Sequence, residues 1–241
     1  MAEKIVKTET VETDFVEKAK GFWVKNSKRI IIAGTVLILL SGGYLGYKYF
    51  YKLPRELKAS ELIFPAEKLF GKMSQNSDFN KDSMLIVLNG GNLEGSKITG
   101  MLKIISSYGG THAGNRARLI AGSCYLQLKE FDKAIRQLKE FDGNGADQIQ
   151  SKAYILLGHA YSELKKTEDA FKYYKKAFYA DEEDAGSAAE ALFIAGRYAY
   201  NTNKTKEAIE LFQKLKDKYP ASQHTIGGDA DKYLARLGVT K

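Results

Sequence analysis

Residues 158–178, "GHAYSELKKTEDAFKYYKKAF", decide how this chain is read. The stretch holds one histidine, an adjacent Glu168–Asp169 pair and three tyrosines. It is either a reactive site or one unit of a repeating scaffold. Its frame includes Tyr154, Leu157, Gly158, Tyr161, Ala170, Tyr174 and Ala177, and the same frame returns on both sides. Upstream it gives Gly122, Tyr125, Ala134, Leu138 and Phe141. Downstream it gives Leu192, Ala195, Gly196, Ala199, Ala208, Phe212, Leu215 and Pro220. The marker alanines Ala134, Ala170 and Ala208 stand 36 and 38 residues apart. The extra residues fall in "DGNGADQ" and "DEEDAGS", where turns are expected. A repeat of about this length suits two helices folded back on each other. Small residues such as Gly158 and Ala170 let the helices approach, and Leu157, Tyr161 and Tyr174 fill the space around that contact.

These offsets resemble the tetratricopeptide repeat, a helix–turn–helix unit of about 34 residues. The resemblance covers residues 115–148, 151–184 and 189–222, followed by a C-terminal capping helix, in a domain spanning 115–241. It departs from the pattern at Arg118, where a large apolar residue is usual. It makes the tyrosines packing residues. It places Glu168 and Asp169 in the first turn of a helix, where negative charge suits the helix dipole. By the family's offsets, side chains of the first helices line a concave groove. Those are Arg116, Ser123 and Gln127, then Lys152, His159 and Glu163, then Glu190, Arg197, Tyr200 and Asn201. A carboxylate clamp of the co-chaperone type needs Lys and Asn at offsets that hold Leu119 and Ser123 in one unit and Ile155 and His159 in the next. An acidic C-terminal tail is therefore not the expected ligand.

A second signal lies near the N-terminus. Residues 30–47 carry no charge over 18 positions, close to the length that crosses a hydrocarbon core of about 30 Å. Lys28 and Arg29 precede this run, and Lys48 and Lys52 follow it. Tyr44, Tyr47, Tyr49 and Tyr51 suit an interfacial aromatic belt. The run is longer than a signal-peptide core, and no small-residue cleavage site follows it. The reading is a retained transmembrane helix over 30–51 behind a tail of residues 1–29. In that tail Phe15, Ala19, Phe22 and Trp23 form one apolar helical stripe. Gly42 and Gly46 form a G-x-x-x-G pair that suits helix packing in a membrane. Four basic residues lie near each end of the span, so charge alone leaves the orientation open.

Residues 52–114 read as a helical connector and an atypical first helical pair, with Leu62, Ala66, Leu69, Phe70 and Met73 on one apolar face. The stretch "VLNGGNLEGSKITG" reads as a turn. A phosphate loop needs Gly-Lys-Ser/Thr before a helix and a strand ahead of it, and the order here is Gly95-Ser96-Lys97. Gly109–Thr111 lead into the first repeat.

The net charge of +8 is spread thinly: +2 in residues 1–29, +2 from Lys48 and Lys52, and +4 in the rest. No Arg-rich run or recognition helix points to nucleic acid. Cys124 is a lone cysteine and cannot form an internal disulfide. Its accessibility would report which side of a membrane holds the repeats. His112 has no Cys, Asp or Glu nearby at metal-ligand spacing, and neither His112 nor His224 has a recognisable nucleophile partner. The sequence predicts no catalytic residue, no metal site and no cofactor: an interaction protein, not an enzyme.

The layout of a tail ending in "FWVKNSKR", one span, a helical connector and a short repeat stack is similar to the YfgM-like bacterial inner-membrane proteins, ancillary subunits of the Sec translocon. "YGGTHAGNRARLIAGSCYLQLKEFDKAI" carries that resemblance most. It implies a single-pass inner-membrane protein with a periplasmic repeat domain. Implied partners are Sec translocon subunits and a membrane-bound periplasmic chaperone, in the handling of newly exported proteins. Asp82-Ser83-Met84 also fits the Asp-Ser/Thr-apolar pattern of periplasmic O-glycosylation. The alternatives are a cytoplasm-facing membrane adaptor, or a structural subunit of another envelope complex. The expected fold class is all-α, a transmembrane helix followed by an α-solenoid.

Overall fold

The computed structural model describes residues 2–77, 79–93 and 95–239, with side chains from residue 16 onward. The chain divides into two compact units, residues 1–55 and 56–241.

In the first unit, α1 (Ala2–Gly46) leads into a six-residue π-helical segment, Tyr47–Lys52. The helix does not break at residue 29. It contains an 18-residue window of mean hydropathy 1.9 with none of its residues buried, and is long and apolar enough to cross a membrane. Ile38, Leu39 and Leu40 are about two-thirds exposed or more. The tyrosines of the expected belt interact locally: Tyr47 stacks on Tyr51, and the Tyr51 hydroxyl accepts from Arg55 at 2.6 Å. Phe22 and Trp23 of the tail stripe are exposed, while Phe15 lies outside the residues whose side chains are described.

The second unit is built from paired helices. α2 (Leu53–Gln75) buries Ala59, Ile63, Ala66 and Met73. Leu62, Leu69 and Phe70, expected on its inner face, are only partly buried, because the true seam runs through Ala59 and Ile63. α3 (Lys81–Asn89) starts at Asn80, whose side chain accepts from the amides of Asp82 and Ser83. The Asp-Ser-Met tripeptide thus lies in a helix's first turn with Met84 buried.

The stretch expected to be a plain turn is a β-hairpin. β1 (Gly90–Leu93) pairs antiparallel with β2 (Ser96–Thr99), Gly91 opposite Ile98. Strands of four residues with two glycines show no readable alternation. Tertiary packing makes them: Ile98 is buried, and Gly90 takes φ 85° where a Cβ would lie 2.8 Å from the Ile98 carbonyl oxygen. α4 (Met101–Tyr108) follows and buries Met101 and Ile104.

Three helix pairs come next: α5 (His112–Gln127) with α6 (Phe131–Lys139), α7 (Asp147–Glu163) with α8 (Thr167–Ala180), and α9 (Ala185–Asn201) with α10 (Thr205–Lys218). Side-chain capping fixes where α5 and α9 begin. Thr111 Oγ1 accepts from the Gly114 amide, the Glu56 carboxylate accepts from the His112 amide at 3.0 Å, and Asp184 accepts from the Ser187 amide.

The turn inside each pair has one geometry. Lys129, Lys165 and Asn203 are left-handed, with φ near 60°. The amides of Glu130, Lys166 and Lys204 then donate to the carbonyls of Tyr125, Tyr161 and Ala199 at 2.8–3.0 Å. This is the Schellman pattern, in which a left-handed residue lets the chain satisfy the last carbonyls of the helix. α11 (Gln223–Ile226) and α12 (Asp229–Arg236) close the chain, with Ala230 and Leu234 buried.

Small residues set the packing within pairs. Gly122 faces Leu138, Gly158 faces Tyr174, and Gly196 faces Phe212. Ala134, Ala170 and Ala208 are fully buried. Glu168 and Asp169 occupy the first turn of α8, and Glu168 receives Lys204 of the next pair at 2.6 Å. Cys124 is fully buried, and burial pushes its thiol up to about 12. It cannot serve as the reporter of sidedness that a lone cysteine suggests in sequence.

Candidate functional site

The first helices of the three pairs, α5, α7 and α9, carry the residues expected to form a groove. Gln127, His159 and Glu163 come together. With Leu126, Lys129, Phe131 and Ser162 they line a cleft of about 440 Å³ between the ends of α5 and α7. Its lining mixes the apolar Leu126 and Phe131 with donors and acceptors of both signs.

His159 is more constrained than its offset suggests. Its Nδ1 lies 2.8 Å from the Tyr174 hydroxyl, and its ring meets the Tyr174 ring edge-on. Burial, helped by the Arg197 guanidinium, pushes the imidazole below its ordinary value, against the pull of Glu163. Burial likewise pushes the Tyr174 phenol up. The pair is therefore neutral at pH 7, held by one hydrogen bond between the two rings.

Other expected groove residues are already engaged. Arg116 binds Glu67 of α2 at 2.8 Å, so the α5 end of the face is occupied from within the chain. Glu190 faces His224 at 2.8 Å. Arg197 lies over the Phe193 ring at 5.8 Å. Tyr200 meets Tyr233 of α12 edge-on at 5.1 Å, which covers the α9 end. Ser123 is half-buried, and Lys152 and Asn201 are exposed. Of the packing set, Gly122, Tyr125, Ala134, Leu157, Gly158, Tyr161, Ala170, Tyr174, Ala177, Leu192, Gly196, Ala208 and Phe212 are buried. Tyr154 is half-buried, its ring 6.0 Å from that of Tyr173, and Pro220 is exposed beyond α10. Near Gly42 and Gly46 a Cβ would meet nothing within 4 Å.

Two features escaped the sequence. Arg118 stands where an apolar residue is usual because its guanidinium ties the turn before α5 to the end of α6. Its Nη1 donates to the Gly109 carbonyl at 2.9 Å and its Nε to Glu140 at 3.1 Å. His224 sits between Glu190 and Asp229. Extending the repeat frame by one unit would have found it, since His224 follows Glu190 by 34 residues. Among the described residues no group of three or more His, Cys, Asp or Glu could hold a metal ion.

Residues 151–184 and 190–222 match two tetratricopeptide repeat family models. The chain carries tetratricopeptide repeats. The matched stretches contain the α7–α8 and α9–α10 pairs. The α5–α6 pair shares the glycine contact and the left-handed turn of these repeats. Among solved structures, the chain is similar to the crystal structure of MamA protein, at 16% identity and a TM-score of 0.47, covering 74% of this chain and 87% of that one. A search of curated proteins gave no match.

Proposed function

We propose that this chain is a membrane-anchored protein-interaction scaffold. α1 crosses the membrane, and the repeats present a binding face to the periplasm. The observation that carries this reading is the coexistence of a long apolar helix with no buried residue in its core and tetratricopeptide repeats beside a mixed-polarity cleft between the ends of α5 and α7. Stacked helical repeats work by presenting such surfaces, and binding needs no chemistry beyond them. The cleft's balance of Lys129 against Glu163 favours a neutral or mixed segment of a partner over an acidic tail.

The resemblance of layout to the YfgM-like proteins supports a finer reading: an accessory of the Sec translocon or of chaperoning at the inner membrane. Two measurements test it. The first is protease digestion of the repeat domain in intact spheroplasts. The second is a mild-detergent pull-down through a C-terminal tag, with partners identified by mass spectrometry. A digestible domain that brings down translocon subunits supports the reading. A protected domain that brings down cytosolic proteins overturns both the orientation and the assignment.

A further inference from the structure

His224 stands at the join between the third helix pair and the C-terminal helices. Its ring stacks on Phe193 of α9, with centroids 3.8 Å apart and planes 9° apart. Its Nε2 is 2.8 Å from Glu190 Oε2, and its Nδ1 is 3.2 Å from Asp229 Oδ2. A neutral imidazole has one N–H and one bare nitrogen, and an ionised carboxylate can only accept. In the neutral ring one of these two contacts is therefore acceptor against acceptor. Only the imidazolium donates to both. Glu190 belongs to α9 and Asp229 opens α12, so the protonated ring fastens one helix to the other.

What α12 covers gives the join its consequence. Tyr233 lies parallel to Phe212 at 4.9 Å and edge-on to Phe193 and Tyr200 at 6.0 and 5.1 Å. Phe193 and Tyr200 both belong to α9, a first helix of the binding face. Gly228, with φ 71°, precedes α12 and allows the bend between α11 and α12.

We propose that His224 is a proton-operated latch that holds α12 on α9 and so controls access to Phe193 and Tyr200. The charged groups around the ring are Glu190 and Arg197 on α9, Lys218 at the end of α10, and Asp229 and Lys232 on α12. Lys218 is engaged by Glu182, and Lys232 by Asp229 at 3.2 Å. The two groups in direct contact with the ring nitrogens are both carboxylates. Hydrogen bonds from His224, and then Lys232, hold the Asp229 carboxyl below its ordinary value, so it stays ionised while the ring gains its proton. The latch closes when the ring takes up its second proton and can donate to both carboxylates, and it loses one of the two contacts when that proton leaves.

Amide hydrogen exchange on the full chain in mild detergent tests this. Peptides covering residues 223–239 are followed at pH 7.5 and 5.5, with rates corrected for intrinsic exchange and referred to α6. Wild type is expected to exchange about three- to tenfold more slowly in this segment at pH 5.5, the effect of gaining one charge-assisted hydrogen bond. His224→Gln removes that difference. Glu190→Gln, which keeps the histidine and loses one carboxylate, removes most of it and decides the matter if His224→Gln does not fold. A wild-type segment with no pH response relative to α6, or a response that survives in a folded variant, overturns the latch.

Discussion

The ring of Tyr174 occupies the space that a Cβ on Gly158 would need, with its Cδ1 2.5 Å from the ideal Cβ position. The same relation joins Gly122 to Leu138 and Gly196 to Phe212, and in each pair the second residue follows the first by 16. One backbone approach is thus used three times, with a different filler each time. A Gly→Ala change in an open helix gains about 1 kcal/mol from propensity. Here it forces a methyl into a filled site, which typically costs about 1–3 kcal/mol. Gly158→Ala should lower the melting temperature by several degrees, at about 2–4 °C per kcal/mol for a domain of this size. Gly122→Ala should cost less, because Leu138 can change rotamer where a tyrosine ring cannot. Thermal unfolding of the two variants against Gly71→Ala, where a Cβ meets nothing, gives the order. Equal melting temperatures in all three would show that the pairs relax freely.

The left-handed residues of the three turns predict a gain. Lys129 and Lys165 hold φ near 60°, which costs a residue with a Cβ about 1 kcal/mol and glycine almost nothing. Lys165→Gly should stabilise the domain by up to about 0.5 kcal/mol, after allowing for the greater freedom of glycine in the unfolded chain. Asn203→Gly should gain less, because asparagine already tolerates this conformation. Chemical denaturation midpoints are the readout, and a lowered midpoint for Lys165→Gly would place the value of that lysine in its side chain.

Cys124 should be inert in the folded protein. Its side chain is buried and its thiol lies at about 12, so almost no thiolate exists at neutral pH. A maleimide added to native protein should label it only at the rate of local unfolding, and rapidly in denaturant. Sidedness is better read from Lys152→Cys, which is exposed on α7. Fast labelling of wild type under native conditions would mean that α5 opens far more readily than its packing suggests.

The repeat was legible because its constraints are local and periodic. Gly158, Ala170 and Tyr174 announce a helix pair through spacing alone, and the surplus residues fall where the chain turns. The apolar run at 30–47 was legible for the same kind of reason: its apolar character is continuous along one helix. The hairpin at Gly90–Thr99 was not, because its strands are too short for a period and depend on what Ile98 packs against. The fate of the groove residues was hidden too. An offset says which way Arg116, Tyr200 and Glu190 point. It does not say that Glu67, Tyr233 and His224 arrive there from 49, 33 and 34 residues away.

His159 gives a pH dependence opposite in sign to that of the latch. Its imidazole is lowered in the folded state, first by burial and then by Arg197, so the unfolded chain binds the proton more tightly. Its contribution to stability is complete above the unfolded value of about 6.5 and is lost as pH falls from there through the lowered folded value. His159→Gln keeps a partner for the Tyr174 hydroxyl and cannot titrate. It should lose less stability than wild type between pH 7 and pH 5, measured by denaturant unfolding at each pH. Identical profiles would mean that water reaches His159 more freely than its burial allows.

Arg118 allows a test of why this chain departs from the repeat pattern. Its guanidinium bonds the Gly109 carbonyl at 2.9 Å and Glu140 at 3.1 Å, and its side chain is only 16% exposed. The charge therefore lies mostly inside, held by the Gly109 carbonyl, more weakly by the Gly114 carbonyl at 3.5 Å, and by a carboxylate that is itself largely exposed. Restoring the usual large apolar residue with Arg118→Leu would improve packing at that site but leave the Gly109 carbonyl without its donor. Leaving this partly buried carbonyl without its partner costs up to about 1–3 kcal/mol, more than one added apolar contact returns at a half-buried site. The net effect should be a loss of about 1–2 kcal/mol, concentrated at the α4–α5 turn, with faster amide exchange at Gly109–Gly114 than elsewhere. Arg118→Lys should recover little of it, because a single ammonium cannot span both partners as the planar fork does. If Arg118→Leu is as stable as wild type, the arginine serves a surface role and the turn is held by Thr111 and Glu56 alone.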